Sequence, residues 1–171
     1  MARAWEVPGL RGRARFREAA GRVILTRWAE MWSYRDGTEL AEDIEELHAM
    51  RVSSRRLRAA MDAFEGAFPP KSFRRHLRQV KEITDVLGDA RDLDVAIEGL
   101  TALLPGMAED ERPGVEGLIA RYREDRAREQ PRIVALFTRI DDERFAKRLD
   151  RYVGEHTGIR LATLKPRPPE A

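Results

Sequence analysis

The stretch His48-Ala-Met-Arg-Val-Ser-Ser-Arg-Arg-Leu-Arg58 sets one imidazole and four guanidiniums into three helical turns with no acid among them. A guanidinium is a planar, permanently charged fork of N–H donors, so this composition suits the gripping of oxyanions. At about 100° per residue, His48, Arg51, Arg55 and Arg58 fall within an arc of roughly 80° on one helix face. Met50, Leu57, Met61 and Phe64 occupy a different side and form a packing stripe, while Arg56 lies outside both. The helix is thus amphipathic, with its basic stripe beside the apolar one rather than opposite it.

A face that merely meets solvent interleaves signs and gains from pairs four residues apart. The segment from His48 to Lys81 instead holds nine Lys and Arg against only Asp62 and Glu65. Like charges at this spacing repel by a few tenths of a kcal/mol per pair, a cost that a bound polyanion relieves. The next helix repeats the pattern. Lys71, Arg74, Arg78 and Lys81 share one arc, and Leu77, Val80, Ile83, Thr84 and Leu87 form its packing stripe. Phe68-Pro69-Pro70 ends the first of these helices, and Pro70 can open the second. As antiparallel neighbours joined by so short a turn, the two helices can aim both basic arcs at one groove.

The anion-binding candidates are therefore His48, Arg51, Arg55, Arg58, Arg74, Arg78 and Lys81. Arg27, Arg56 and Arg75 are secondary candidates. Arg27 sits in the apolar stripe of an earlier helix, either snorkelling from the core edge or reaching into the groove. His76 lies among apolar residues and reads as a satisfied core histidine.

Two motifs in order carry a resemblance. His48-x-x-Arg51-Val52-x-x-Arg55-Arg56-Leu57-Arg58 is followed about thirty residues on by Leu87-Gly88-x-x-Arg91-Asp92-x-Asp94-Val95. Both resemble signatures of the first half of CHAD domains. That resemblance implies a helical-bundle module that binds inorganic polyphosphate through basic side chains and performs no catalysis. It also implies a structural role for Arg91 and Asp92, as ion pairs that fix the register between helices. A complete CHAD domain has two helical halves around a basic channel, whereas the resemblance here covers one unit, from about Phe16 to Val153. Self-association as a homodimer would restore two facing halves, although the unligated grooves would repel.

The elements that must position these residues are read from hydrophobic period. A first helix runs from Arg13 to about Tyr34, with Phe16, Ala20, Val23, Ile24 and Met31 in register. Arg35-Asp36-Gly37-Thr38 is a turn, with Asp36 or Thr38 capping a second helix from about Glu39 to Gly66. A third helix spans Lys71 to Leu103 with a kink expected at Gly88. A fourth carries Leu118, Ile119 and Tyr122, breaks or kinks at Pro131, and continues through Phe145 and Leu149 to Val153. The fold class is all-α, an antiparallel bundle of about four long helices with a kinked or split last one. Residues 1–12 are an N-terminal extension, 13–153 the bundle, and 154–171 a Pro-rich extended tail.

Composition narrows the function classes. The formal charge is only +2, so the information lies in segregation: Asp36–Leu47 has six acids and no base, and Glu82–Glu116 ten acids against two bases. With no cysteine there is no disulfide or zinc–thiolate site. No signal peptide or membrane span is expected, which places the chain in the cytoplasm, with association to polyphosphate granules as a corollary of the resemblance. Asp85, Asp89, Asp92 and Asp94 follow helical period and lack a calcium-loop glycine turn, so neither metal nor cofactor is expected. No phosphate loop, carboxylate set of a triphosphate tunnel or nucleophile elbow is present, so the protein is read as a non-enzyme. A histidine phosphotransfer domain would keep its imidazole clear of so many arginines. Sequence-nonspecific nucleic-acid binding is the alternative, weakened by arcs without aromatic residues for stacking.

Overall fold

The computed structural model describes residues 3–41 and 43–168, which form helices and short 3-10 turns with no strand among them. The helices are α1 (Phe16–Trp32), α2 (Arg35–Leu40), α3 (Ile44–Ala63), α4 (Pro70–Leu103), α5 (Arg112–Asp142), α6 (Phe145–Thr157) and α7 (Leu161–Leu164). α3 packs between α1 and α4, α4 continues onto α5, and α6 closes against α1 and α5. No helix among the described residues is long and apolar enough to cross a membrane.

The expected all-helical class holds, and the packing stripes carry the core. Met50, Leu57 and Met61 of α3 and Val80, Ile83 and Leu87 of α4 are fully buried, facing Ile24, Trp28 and Met31 of α1 and Phe137 of α5. Truncating one such side chain, as in Leu57→Ala, costs about 2–5 kcal/mol. Pro70 is the first residue of α4, as its missing N–H and fixed φ favour.

Three expectations are corrected. The segment around Arg35-Asp36-Gly37-Thr38 is itself a helix, α2, in which the Thr38 hydroxyl donates back to the Tyr34 carbonyl at 2.7 Å. The chain then reverses through Ala41 at φ 55°, and Asp43, not Asp36 or Thr38, caps α3 by accepting from the Glu45 N–H at 2.8 Å. α4 is continuous through Gly88, which is buried against α3. α5 is continuous through Pro131. The proline forfeits one helical hydrogen bond, but Ile133, Leu136, Phe137 and Ile140 anchor the following turns in the core. The split falls instead after Asp142, where Arg144 adopts φ 50° and starts α6 in a new direction.

The tail is not extended from Gly154. α6 runs to Thr157, Gly158 closes it at φ 76°, and α7 follows with Leu164 buried. Thr157 and Ile159 fill the space left by the absent side chain of Gly21 in α1. Asp150 holds the segment down, accepting from the Leu161 N–H at 2.7 Å and from Arg160 Nε at 2.9 Å. The N-terminal extension is likewise tied to α1, through Arg27 to the Trp5 carbonyl (2.8 Å) and Arg22 to the Pro8 carbonyl (2.9 Å). Arg3, Glu6 and Pro8 from this end border one open pocket together with Lys165, Arg167 and Pro168 from the other. Residues 169–171 of the expected tail lie outside the described residues.

Candidate functional site

Because the basic stripe of α3 lies beside its packing stripe, burying the latter against α1 and α4 leaves the arginines at the helix–helix margin. There Arg51, Arg55 and Arg58 line an open cleft of about 520 Å³ with Asp62 of α3 and Thr84 and Asp85 of α4. Arg51 is half-buried, and its Nη1 donates to the Thr84 carbonyl at 3.1 Å. Its guanidinium lies over Gly88: a Cβ at that position would stand 3.0 Å from Arg51 Cζ and Nη2. Gly88 therefore serves as a seat for Arg51. Arg55 is exposed and Arg58 half-exposed. Among the described residues none of these three arginines is ion-paired, despite the two aspartates on the cleft wall.

His48 is half-buried one turn before Arg51 on the same face of α3. The α4 arc is arranged differently from the simple facing groove. The α4 residues at the arginine cleft are Thr84 and Asp85, and Lys81 and Arg78 continue that helix face one and two turns beyond Asp85. Both are exposed and unpaired among the described residues. Arg74 lies further along and approaches Glu65 at 3.4 Å. Asp85 and Gly88 are the site residues that the sequence pattern alone did not single out. Asp85 shares the helical arc of Arg78 at a spacing of seven, which was a legible signal. The role of Gly88 needs knowledge of which α3 residue meets it.

Of the secondary candidates, Arg27 and Arg56 converge elsewhere. Both bind Glu30, which is fully buried: Arg56 Nη1 lies 2.7 Å from one carboxylate oxygen, and Arg27 holds the other. This triad joins α1 to α3, and neither arginine lines the cleft. Arg75 is exposed on α4 next to His76. His76 is buried as expected, its Nδ1–H donating to the Ser72 carbonyl at 3.0 Å and its ring stacked 4.5 Å from that of Tyr152. Burial, followed by the charges of Arg148 and Arg75, holds its pKa below the ordinary histidine value, against the raising effect of the Ser72 bond.

The expected ion pairing of Arg91 and Asp92 between helices is also corrected. Arg91 reaches Glu98 on its own helix at 3.1 Å, and Asp92 is exposed. Of the motif's aspartates it is Asp94 that spans α4 and α5, pairing with Arg126 at 2.9 Å beside the Arg139–Glu82 and Arg132–Asp89 pairs, because Asp94 and not Asp92 faces α5. Burial pushes the Asp94 carboxyl above its usual value, opposed by Arg126. Among the described residues no group of three or more His, Asp or Glu side chains could hold a metal ion.

The family model of the CHAD domain matches residues 22–170, nearly the whole chain. The chain belongs to the CHAD family. No curated protein and no solved structure matches it. Within this CHAD chain, the first of the two motifs supplies the arginine wall of the cleft. From the second motif, Gly88 supplies the seat for Arg51 and Asp94 the pair to α5.

Proposed function

We propose that this CHAD protein binds inorganic polyphosphate, without catalysing its turnover, in the cleft between α3 and α4. The observation that supports this best is the set of unpaired guanidiniums of Arg51, Arg55 and Arg58 on one open cleft. A guanidinium can grip phosphoryl oxygens bidentately, and such charge-assisted bonds are roughly twice as strong as neutral ones. At 1.5 Å rise per residue the three Cα atoms step along α3 by about 6 and 4.5 Å, a ladder suited to an extended anion of repeating charge rather than to one phosphate. Arg51, held by Thr84 and Gly88, loses little freedom on binding. His48, Lys81 and Arg78 extend the cation path at either end of the cleft. The residues lining the cleft include no aromatic side chain, so bases would find no stacking platform and a nucleic acid would be held by its phosphates alone.

The test is displacement of labelled long-chain polyphosphate by unlabelled polyphosphate, DNA or RNA at fixed salt. Polyphosphate is expected to compete best and to be recovered at unchanged length. Arg51→Glu/Arg55→Glu/Arg58→Glu should abolish binding with helicity retained; normal binding by this variant would remove the cleft from consideration. Equal competition by DNA or RNA would favour the nucleic-acid reading.

A further inference from the structure

The turn before α6 and the first turns of that helix carry Arg144, Lys147, Arg148 and Arg151. Residues three and four apart share a helix face, and with Arg160 these side chains line a second open cleft of about 490 Å³. Its acids are Glu143 and Asp150, and both are engaged: Glu143 lies 3.4 Å from Arg148, and Asp150 2.9 Å from Arg160. The side chains of Arg144, Lys147 and Arg151 are exposed and, among the described residues, have neither ion pair nor hydrogen bond.

α4 links the two clefts. Gln79 donates to Glu143 at 2.6 Å and accepts from Arg148 at 2.8 Å, so α6 lies along the Gln79 flank of α4. Thr84 marks the opposite flank, at the arginine cleft. Going round the outer side of α4 from Thr84 to Gln79, the charged residues met between positions 71 and 85 are Lys81, Arg74, Asp85, Arg78, Lys71, Glu82 and Arg75, five cations against two acids, of which Glu82 is paired with Arg139.

We propose that the α6 face is a second polyphosphate subsite, reached by the same chain that occupies the α3–α4 cleft. The inference rests on the polyphosphate reading above and adds chain-length selection to it. A long polyphosphate engages both clefts across the basic ridge of α4, whereas tripolyphosphate is held by the α3–α4 cleft alone, the α6 face gripping only a chain already anchored there. Tethering converts the second binding event into an intramolecular one, which raises affinity without any new chemistry.

The test compares tripolyphosphate with long-chain polyphosphate on the full chain, using Arg144→Gly/Lys147→Glu/Arg151→Glu. Glycine at position 144 suits the left-handed backbone there, and the other two positions are exposed, with circular dichroism as the check of folding. The variant should lose at least about tenfold in long-chain affinity while keeping tripolyphosphate binding at the α3–α4 cleft. Its salt slope should be shallower by about 2, at roughly 0.7 for each phosphate no longer neutralised. Unchanged long-chain affinity and slope, with binding still abolished by the α3 triple variant, would overturn this subsite alone. If the wild type binds neither probe, the α3–α4 reading falls and takes this one with it.

Discussion

Replacing Gly88 by alanine separates the needs of the helix from those of the site. In the middle of a helix alanine is favoured over glycine by about 1 kcal/mol. Gly99→Ala, in the same helix with nothing within 4 Å of the added Cβ, should collect that gain in full. For a domain of this size that is a rise in Tm of about 2–4 °C. At Gly88 the new methyl stands 3.0 Å from Arg51 Cζ and Nη2, so the guanidinium must give by a few tenths of an ångström, which strains its 3.1 Å bond to the Thr84 carbonyl. A hydrogen bond from a charged donor contributes about 1.5–3 kcal/mol. Weakening or losing it offsets the propensity gain, for a net change between about zero and a loss of roughly 2 kcal/mol. Displacing Arg51 should also weaken polyphosphate binding about fivefold, equivalent to about 1 kcal/mol of hydrogen bonding. Thermal unfolding and displacement titrations of both variants measure this, and an Arg51→Ala background closes the cycle, since there Gly88→Ala should recover its full gain. If Gly88→Ala instead stabilises as much as Gly99→Ala and binds polyphosphate as the wild type does, Gly88 does not position Arg51.

Other outcomes follow from the same geometry. Asp85→Asn removes a carboxylate from the cleft wall and should tighten polyphosphate binding by about two- to fivefold, as one exposed charge allows; weaker binding would mean that Asp85 orients an arginine. Glu30→Ala leaves Arg27 and Arg56 without their buried partner and should cost about 3–5 kcal/mol, a fall in Tm on the order of 10 °C, so an unchanged Tm would refute a structural role for the triad. His76 ties stability to pH. Its folded pKa is depressed by burial below the unfolded value of 6.5. As pH falls below 6.5 the unfolded chain binds a proton that the folded chain resists, so stability drops until the folded value is passed. Urea unfolding should show this decline in the wild type and a smaller one in His76→Asn; identical pH profiles would exclude His76 as its source.

How much of this was legible in the sequence depended on whether a feature is fixed along one helix or between two. The convergence of Arg51, Arg55 and Arg58 follows from their spacing, and the burial of Met50, Leu57 and Met61 follows from theirs. What one helix cannot show is which neighbour its flank meets. Arg56 differs from Arg55 by a single 100° step, yet that step carries it to Glu30 of α1. Asp92 and Asp94 differ by two residues, and only the second reaches Arg126. The break expected at Pro131 is a local preference overridden by packing, the core residues beyond the proline holding α5 unbroken. The order of the tail was hidden because Ile159, Leu161 and Leu164 are few. Of these, Ile159 sits in a gap at Gly21, more than a hundred positions earlier.

That gap, and the pocket bordered by Arg3, Glu6 and Pro8 on one side and Lys165, Arg167 and Pro168 on the other, bring the two ends of the described chain side by side. Viewed as topology, the described residues trace a ring missing one link. A short flexible linker across that pocket, with new termini opened in the exposed turn around Ala108–Asp110, would make a circular permutant in which α5, α6 and α7 are synthesised before α1. The α3–α4 hairpin and its arginine wall would pass through this rearrangement intact, so the permutant should unfold within a few degrees of the wild type and bind polyphosphate equally well. The order in which the ribosome delivers these helices is then separable from the arrangement they reach.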